Sequence, residues 1–426
     1  MIDTAAALPF PVSEHTLASG LRVVAVKVES GGLQAYYSIV RTGSRNEVDP
    51  GKSGFAHFFE HMMFRGTERC PQEAYKDELR RIGASSNAAT FNDYTVFHIL
   101  SSSASLEKIV ELEADRFRNL SYGEPAFQTE ARAVLGEYNA GRSDPLQRMR
   151  ESLAENAFTR HPYGHTVIGS LEDIEAMPDH FAYSRDFFDR HYRPDNAVLL
   201  VVGDVCDEQL FAAVERHYGG WGQGPGRPTI PEEPPQTREN RVALDWRGPT
   251  APLLLEGWRI PAFSTENLDL QALDLLAELL FSRHGRLHRR LVLEEQTVES
   301  LSGASDVRVD PGLFTVLVRP RRPERLAEVE AAVDDEIARI AREGVDPRTL
   351  RDALSHVRYS FAHALSSADR VAKVGAELIS LAGELGVLNG YRARFAEVTS
   401  EDVRRVAGTY FQPTSRTLVT LTGSPS

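Results

Sequence analysis

Cysteine is nearly absent. Only Cys70 and Cys206 occur in 426 residues, far apart and in no C-x-x-C pair. Neither a disulfide framework nor a thiolate-clustered metal site is written here, and two free thiols in a reducing compartment are expected. Long apolar runs are missing too. The longest, Ala197 to Val202, is far short of the roughly 20 residues that span a bilayer, so no membrane span is expected. Met1 to Pro11 has no basic end followed by an apolar stretch, so no leader is visible. The cytoplasm is the expected compartment, or the periplasm if a leader has been removed. Basic charge is scarce: 48 Lys and Arg stand against 61 Asp and Glu, a net charge of -13. That balance argues against nucleic acid or an anionic membrane surface as the main partner.

What is present suffices for two cores. The chain is long for a single core, and 42% of it is apolar. A Gly- and Pro-rich stretch, 221–242, cannot hold a regular core element and reads as a linker between an N-terminal domain, 1–220, and a C-terminal domain, 243–426. The two domains repeat each other. Tyr192-Arg193-Pro194 leads into Ala197–Gly203 as Phe411-Gln412-Pro413 leads into Thr417–Gly423, an offset of 219 (413 − 194). β-branched runs such as Leu21–Val26 and Leu33–Val40 alternate with amphipathic stretches such as Ala74–Ile82, Leu106–Leu120 and Asp179–Tyr192. The fold class expected is α+β: two homologous domains, each a mostly antiparallel sheet with helices packed on one face.

The stretch from Gly54 to Thr67 reads as one helix, with Ser53 as its cap and Gly66 as its end. His57 and His61 are four apart and share a face, with Glu60 close to it. Two imidazoles and a carboxylate at this spacing suit a zinc ion with a base beside it; the bland alternative is two surface histidines and a solvated Glu. The order H-x-x-E-H inverts the zincin H-E-x-x-H. A later helical stretch, about Phe127 to Ala140, holds Glu130 and Glu137, seven apart and on one face. A zinc ion held by two His needs a third protein ligand. Glu137 can be that ligand, with Glu130 behind it orienting an imidazole. Between these stretches, Gly83 to His98 reads as a loop, an edge strand of small residues and an inner strand. Such an edge can accept a peptide as an added strand, and a plain hairpin is the alternative.

Together these residues resemble the pitrilysin and insulinase superfamily of inverted zincins, which includes the mitochondrial processing peptidases. The resemblance covers most of 16–205 and, more weakly, the second half. It implies one zinc ion per chain on His57, His61 and Glu137, with Glu137 76 positions after His61 (137 − 61). It implies Glu60 as the catalytic base and Glu130 as the outer partner of a ligand. The family's N-A-x-T-x-x-D-x-T segment stands here as Asn87 to Thr95; Asn87, Ala88, Ala89 and Phe64 are thereby implied to bind substrate. The activity implied is hydrolysis of unfolded or short peptides inside a chamber. One departure concerns the C-terminal domain. The family places an Arg and a Tyr there, seven apart, after an R-L pair. Arg286-Leu287 keeps the pair, but Val292 and Glu299 occupy the two positions. The resemblance then implies the zinc-bearing subunit of a heterodimer whose homologous partner supplies both residues, with a homodimer as the runner-up and a non-catalytic peptide-binding or scaffold subunit as the rival class. His284 and His288 mimic a ligand pair, but with four arginines around them they read as a cationic helix face.

Overall fold

The computed structural model describes residues 9–226 and 228–423. The first half contributes β1 (Val12–Thr16), β2 (Arg22–Lys27), β3 (Leu33–Val40), α1 (Phe55–Met62), α2 (Gln72–Arg81), β4 (Ser85–Thr90), β5 (Thr95–Ser102), α3 (Leu106–Asn119), α4 (Glu124–Gly141), α5 (Pro145–Ala157), α6 (Leu171–Ala176), α7 (Phe181–His191), β6 (Ala197–Gly203) and α8 (Asp207–Tyr218). The second half contributes β7 (Asn240–Trp246), β8 (Leu253–Arg259), α9 (Asp269–Phe281), β9 (Val298–Asp306), β10 (Leu313–Pro320), α10 (Leu326–Glu343), α11 (Pro347–Ala364), α12 (Ala368–Ala382), α13 (Val387–Ala393), α14 (Ser400–Tyr410) and β11 (Arg416–Gly423). Trp221 still packs in the first core, and Asn240 already begins β7.

The strands form two sheets, ordered β1-β2-β6-β3-β5-β4 and β7-β11-β8-β10-β9. Apart from β1, the second order copies the first. One parallel pair, β2 with β6 and β7 with β11, recurs in each, and the remaining pairs are antiparallel. The expected α+β architecture is therefore present, with two like sheets and their helices.

Burial explains why each sheet needs cover on both faces. All seven residues of β6 are buried. Its alternate residues divide between two cores, Leu199 and Val201 on one face and Val198, Leu200 and Val202 on the other. The first face is covered by the half's own helices, among them α1, α3, α4, α7 and α8. The second is covered by α12, which comes from the other half and brings Val371, Ala372, Ala376 and Ile379. The second sheet mirrors this arrangement. Its own α9, α10 and α14 cover one face, and Met149, Leu153 and Ala157 of α5, from the first half, cover the other. Each half therefore lends one helix to the other's sheet.

The halves also meet at their hairpin tips, β4–β5 against β9–β10. Asp93 accepts from the Val309 N–H at 3.1 Å and from the Tyr163 hydroxyl at 2.5 Å. Asp310 accepts from Arg45 Nε at 2.5 Å and from His161 Nε2 at 2.9 Å. Burial opposes ionisation of Asp310, yet the hydrogen bonds from His161 and Arg45 outweigh it and bring its carboxyl down to about 2. A depressed acid stabilises the fold above its ordinary value of 3.8 and loses that contribution as pH falls towards about 2. Asp310→Asn is therefore expected to cost about 1–2 kcal/mol at neutral pH, and the gap from wild type should close over that acid window. Denaturant titrations of both proteins at several pH values read this directly, and a gap independent of pH would remove Asp310 as the source.

Candidate active site

Helix α1 is built to be rigid. Phe55, Phe58, Phe59 and Met62 are fully buried, and Phe59 packs in a ring cluster with Phe187, Phe188 and Tyr192. The expected cap is absent: Ser53 donates its hydroxyl to Asp173 at 2.5 Å, and the cap position is Gly54, at φ +92 with no side chain to offer. The helix runs to Met62 and tightens into a 3-10 turn at Met63–Arg65, which Gly66 ends at φ +86.

The one-turn spacing brings the His57 and His61 rings to 4.7 Å between centroids. Glu137, two turns after Glu130 on α4, reaches between them. Its Oε2 lies 3.7 Å from His57 Nε2 and 3.4 Å from His61 Nε2. Among the described residues these three are the group whose donor atoms cluster, all within 4.8 Å of one another. A tetrahedral zinc with bonds of about 2.0–2.1 Å sets its ligand atoms roughly 3.3 Å apart, so two nitrogens and a carboxylate oxygen so placed fit one such ion. Glu130 sits behind, with its carboxylate accepting from His61 Nδ1 at 3.1 Å and from Arg65 Nε at 2.6 Å. The Nδ1 contact fixes the tautomer that leaves the His61 Nε2 lone pair facing Glu137. Burial raises Glu130, but these two partners outweigh it and hold the carboxyl below its ordinary value. His57 is lowered as well, by burial first and then by the His61 ring, which favours the neutral form a ligand needs.

Glu60 lies beside this cluster, and its Oε2 accepts from the Thr90 hydroxyl at 2.7 Å. Thr90 ends β4, which has β5 on one side and, among the described residues, a free edge on the other. Asn87, Ala88 and Ala89 pair with His98, Phe97 and Val96 of β5. Ala88 is buried, while Asn87 is exposed. Phe64 lines a cavity of about 330 Å³ together with Glu60, His61, Arg65, Gln72 and Glu130. Beneath Phe64, the buried Arg116 guanidinium stacks at 5.1 Å from its ring. Thr90 and Arg65 are site residues the sequence reading did not single out, although both lie inside stretches it quotes.

The profile of the insulinase domain, peptidase family M16, matches residues 29–170, and that of the peptidase M16 inactive domain matches 183–356. The chain belongs to the insulinase family of peptidases. Among insulinase-family relatives, a zinc protease, PqqE, of Helicobacter pylori is 28% identical over 419 residues, covering 95% of this chain and 91% of the relative. A probable mitochondrial-processing peptidase subunit beta of Schizosaccharomyces pombe is 26% identical over 385 residues, covering 86% and 82%. Among solved structures, a protease from Helicobacter pylori superposes with a TM-score of 0.91 at 27% identity, over 97% of this chain and 99% of that one.

The second half of this insulinase-family chain repeats the scaffold without the donors. α9 stands where α1 stands and carries no histidine. His356, at the offset position of Glu137, pairs with Glu278 at 3.0 Å. Val292 packs partly against the second core, and Glu299 is exposed on β9, 3.9 Å from Arg319. Arg286, of the R-L pair, is bound to Glu336 at 3.3 Å. No helix among the described residues is long and apolar enough to cross a membrane.

Proposed function

We propose that this chain is a zinc-dependent metalloendopeptidase that cleaves unfolded or short peptides, and that it is the catalytic subunit of a heterodimer. The observation that carries the reading is the convergence of His57 Nε2, His61 Nε2 and Glu137 Oε2, with the Glu60 carboxylate alongside. A zinc ion held by His57, His61 and Glu137 supplies Lewis acidity, polarising a carbonyl and acidifying water. The rest falls to the side chains. Glu60, steadied by Thr90 on one oxygen, takes the proton of the attacking water on the other and hands it to the leaving amine nitrogen. Glu130 keeps the His61 ring in its productive tautomer and orientation. The substrate adds as a strand to the free edge of β4, along Asn87, Ala88 and Ala89, so backbone hydrogen bonds bind it largely independently of sequence. Phe64 receives a side chain next to the scissile bond.

The heterodimer rests on Val292 and Glu299, which stand where the family resemblance places an Arg and a Tyr after the R-L pair, and on its likeness to a relative named as a subunit beta. A homologous partner chain supplies both groups. The test combines metal content and native mass on one sample with cleavage of an unstructured peptide, with and without the partner. One zinc per chain and cleavage that rises on adding the partner are expected. Equal rates with the chain alone, at dimer mass, favour the homodimer, and a metal-loaded chain that binds without cutting is a carrier. Glu137→Ala should reduce zinc occupancy to a small fraction of wild type; unchanged metal content rejects Glu137 as a ligand.

A further inference from the structure

We propose that Glu47 is a positioning residue that fixes the helix carrying His57, Glu60 and His61 to the strand edge meant for the peptide. The inference rests on the metallopeptidase reading and adds a residue that reading does not use. A helix leaves its first N–H groups unpaired, and a Ser, Thr, Asp or Asn at the cap position normally satisfies one of them. At α1 that solution is closed. The cap position is Gly54, at φ +92, where a Cβ would stand 2.6 Å from the Ile168 carbonyl oxygen. Ser53 is turned away to Asp173. The donors are met instead by a carboxylate from outside the helix. Glu47 Oε2 accepts from the Gly54 N–H at 2.9 Å, and Oε1 accepts from the Ala56 N–H at 2.6 Å, one residue before the ligand His57.

The Glu47 side chain has no exposed surface. Burial pushes its carboxyl up to about 8 against the pull of the backbone N–H groups at the helix start. A group carried in at that cost is held by its surroundings, and the turn behind it shows how. The Arg45 N–H donates to the Asn92 carbonyl at 2.8 Å, and the Ser44 N–H donates to the Phe91 carbonyl at 3.4 Å. The Arg45 side chain reaches Asp310 in the other half. Phe91 and Asn92 form the tip of the hairpin whose outer strand is β4. Glu47 is thus a strut. One end is the β4–β5 tip, the other is the start of α1, and the two elements meet again at the Thr90–Glu60 hydrogen bond. Strand edge and ligand helix are held in one register, which an in-line attack on a strand-bound peptide needs to within a fraction of an ångström.

The test uses the full chain loaded with cobalt, whose visible d–d bands report ligand geometry, alongside zinc affinity by chelator competition and peptide kinetics. Glu47→Ala is expected to shift the cobalt bands, weaken zinc binding about 10- to 100-fold and lower kcat with little change in KM. Glu47→Gln keeps the volume and one acceptor oxygen, folds with the core intact and recovers part of each loss. Thr399→Ala removes a cap of the same kind from α14 in the other half, where Thr399 accepts from the Asp402 N–H, and serves as the control for a purely structural loss. If Glu47→Ala and Glu47→Gln keep wild-type bands and zinc affinity and lose only thermal stability, as Thr399→Ala should, the proposal is overturned. If the wild-type chain itself takes up no cobalt or zinc, the metallopeptidase reading fails first and takes this inference with it.

Discussion

Glu60→Gln is expected to keep full zinc content and to lose peptide hydrolysis by about 10³-fold. The substitution preserves volume, and the amide oxygen still accepts from the Thr90 hydroxyl that now meets Glu60 Oε2 at 2.7 Å. Neither His57 nor His61 depends on Glu60 for its place, since Glu130 and the packing of α1 hold them. What disappears is a group that can take a proton and return it, a contribution usually worth 10²–10⁴ in rate. Metal analysis and kcat on the same preparation decide the matter. Full turnover in the variant would remove Glu60 as the base, while lost metal would recast it as part of the binding shell.

The second large effect concerns the reciprocal loan of helices. A fragment ending at 226 keeps the first sheet but loses α12, which exposes the face formed by Val24, Val26, Ala35, Tyr37, Ile39, Leu200 and Val202. Each large apolar side chain contributes roughly 1.5–3 kcal/mol when fully buried, so the loss reaches the whole net stability of a typical domain, about 5–15 kcal/mol. The fragment is expected to be insoluble or molten, and co-expression with 228–423 should restore a soluble complex. The converse fragment loses α5 and bares Leu253, Leu255, Val419 and Leu421. Solubility, dye binding and cooperativity of unfolding measure this. A cooperatively folding monomer from either fragment would contradict it.

The sequence made some of this legible and hid the rest for definite reasons. The period of a helix places His57 and His61 on one face, and two turns of α4 align Glu130 with Glu137; both are local facts that a spacing records. That the two faces meet is a tertiary fact, carried only by the resemblance until the coordinates set their atoms side by side. The expected cap at Ser53 failed because a hydroxyl takes the best partner within reach, and Asp173, 120 positions on, was the better one. Glu47 was passed over because nothing local marks a carboxylate that folds back on a helix seven residues later. The exchange of α5 and α12 was equally hidden. An amphipathic helix shows which of its faces is apolar, but its own sequence does not say which sheet will receive that face. β6 did carry a clue, since seven consecutive buried residues demand cover on both sides of a sheet whose own helices lie on one.

That crossed packing bears on how a substrate enters. A clamshell enzyme opens by bending at a joint between its lobes. Here each lobe has an arm wrapped over the back of the other, so swinging them apart would strip two cores at once. The two halves are therefore expected to move as one block. If the chain pairs with a second one as proposed, opening for a polypeptide is expected between the two chains and not within this one.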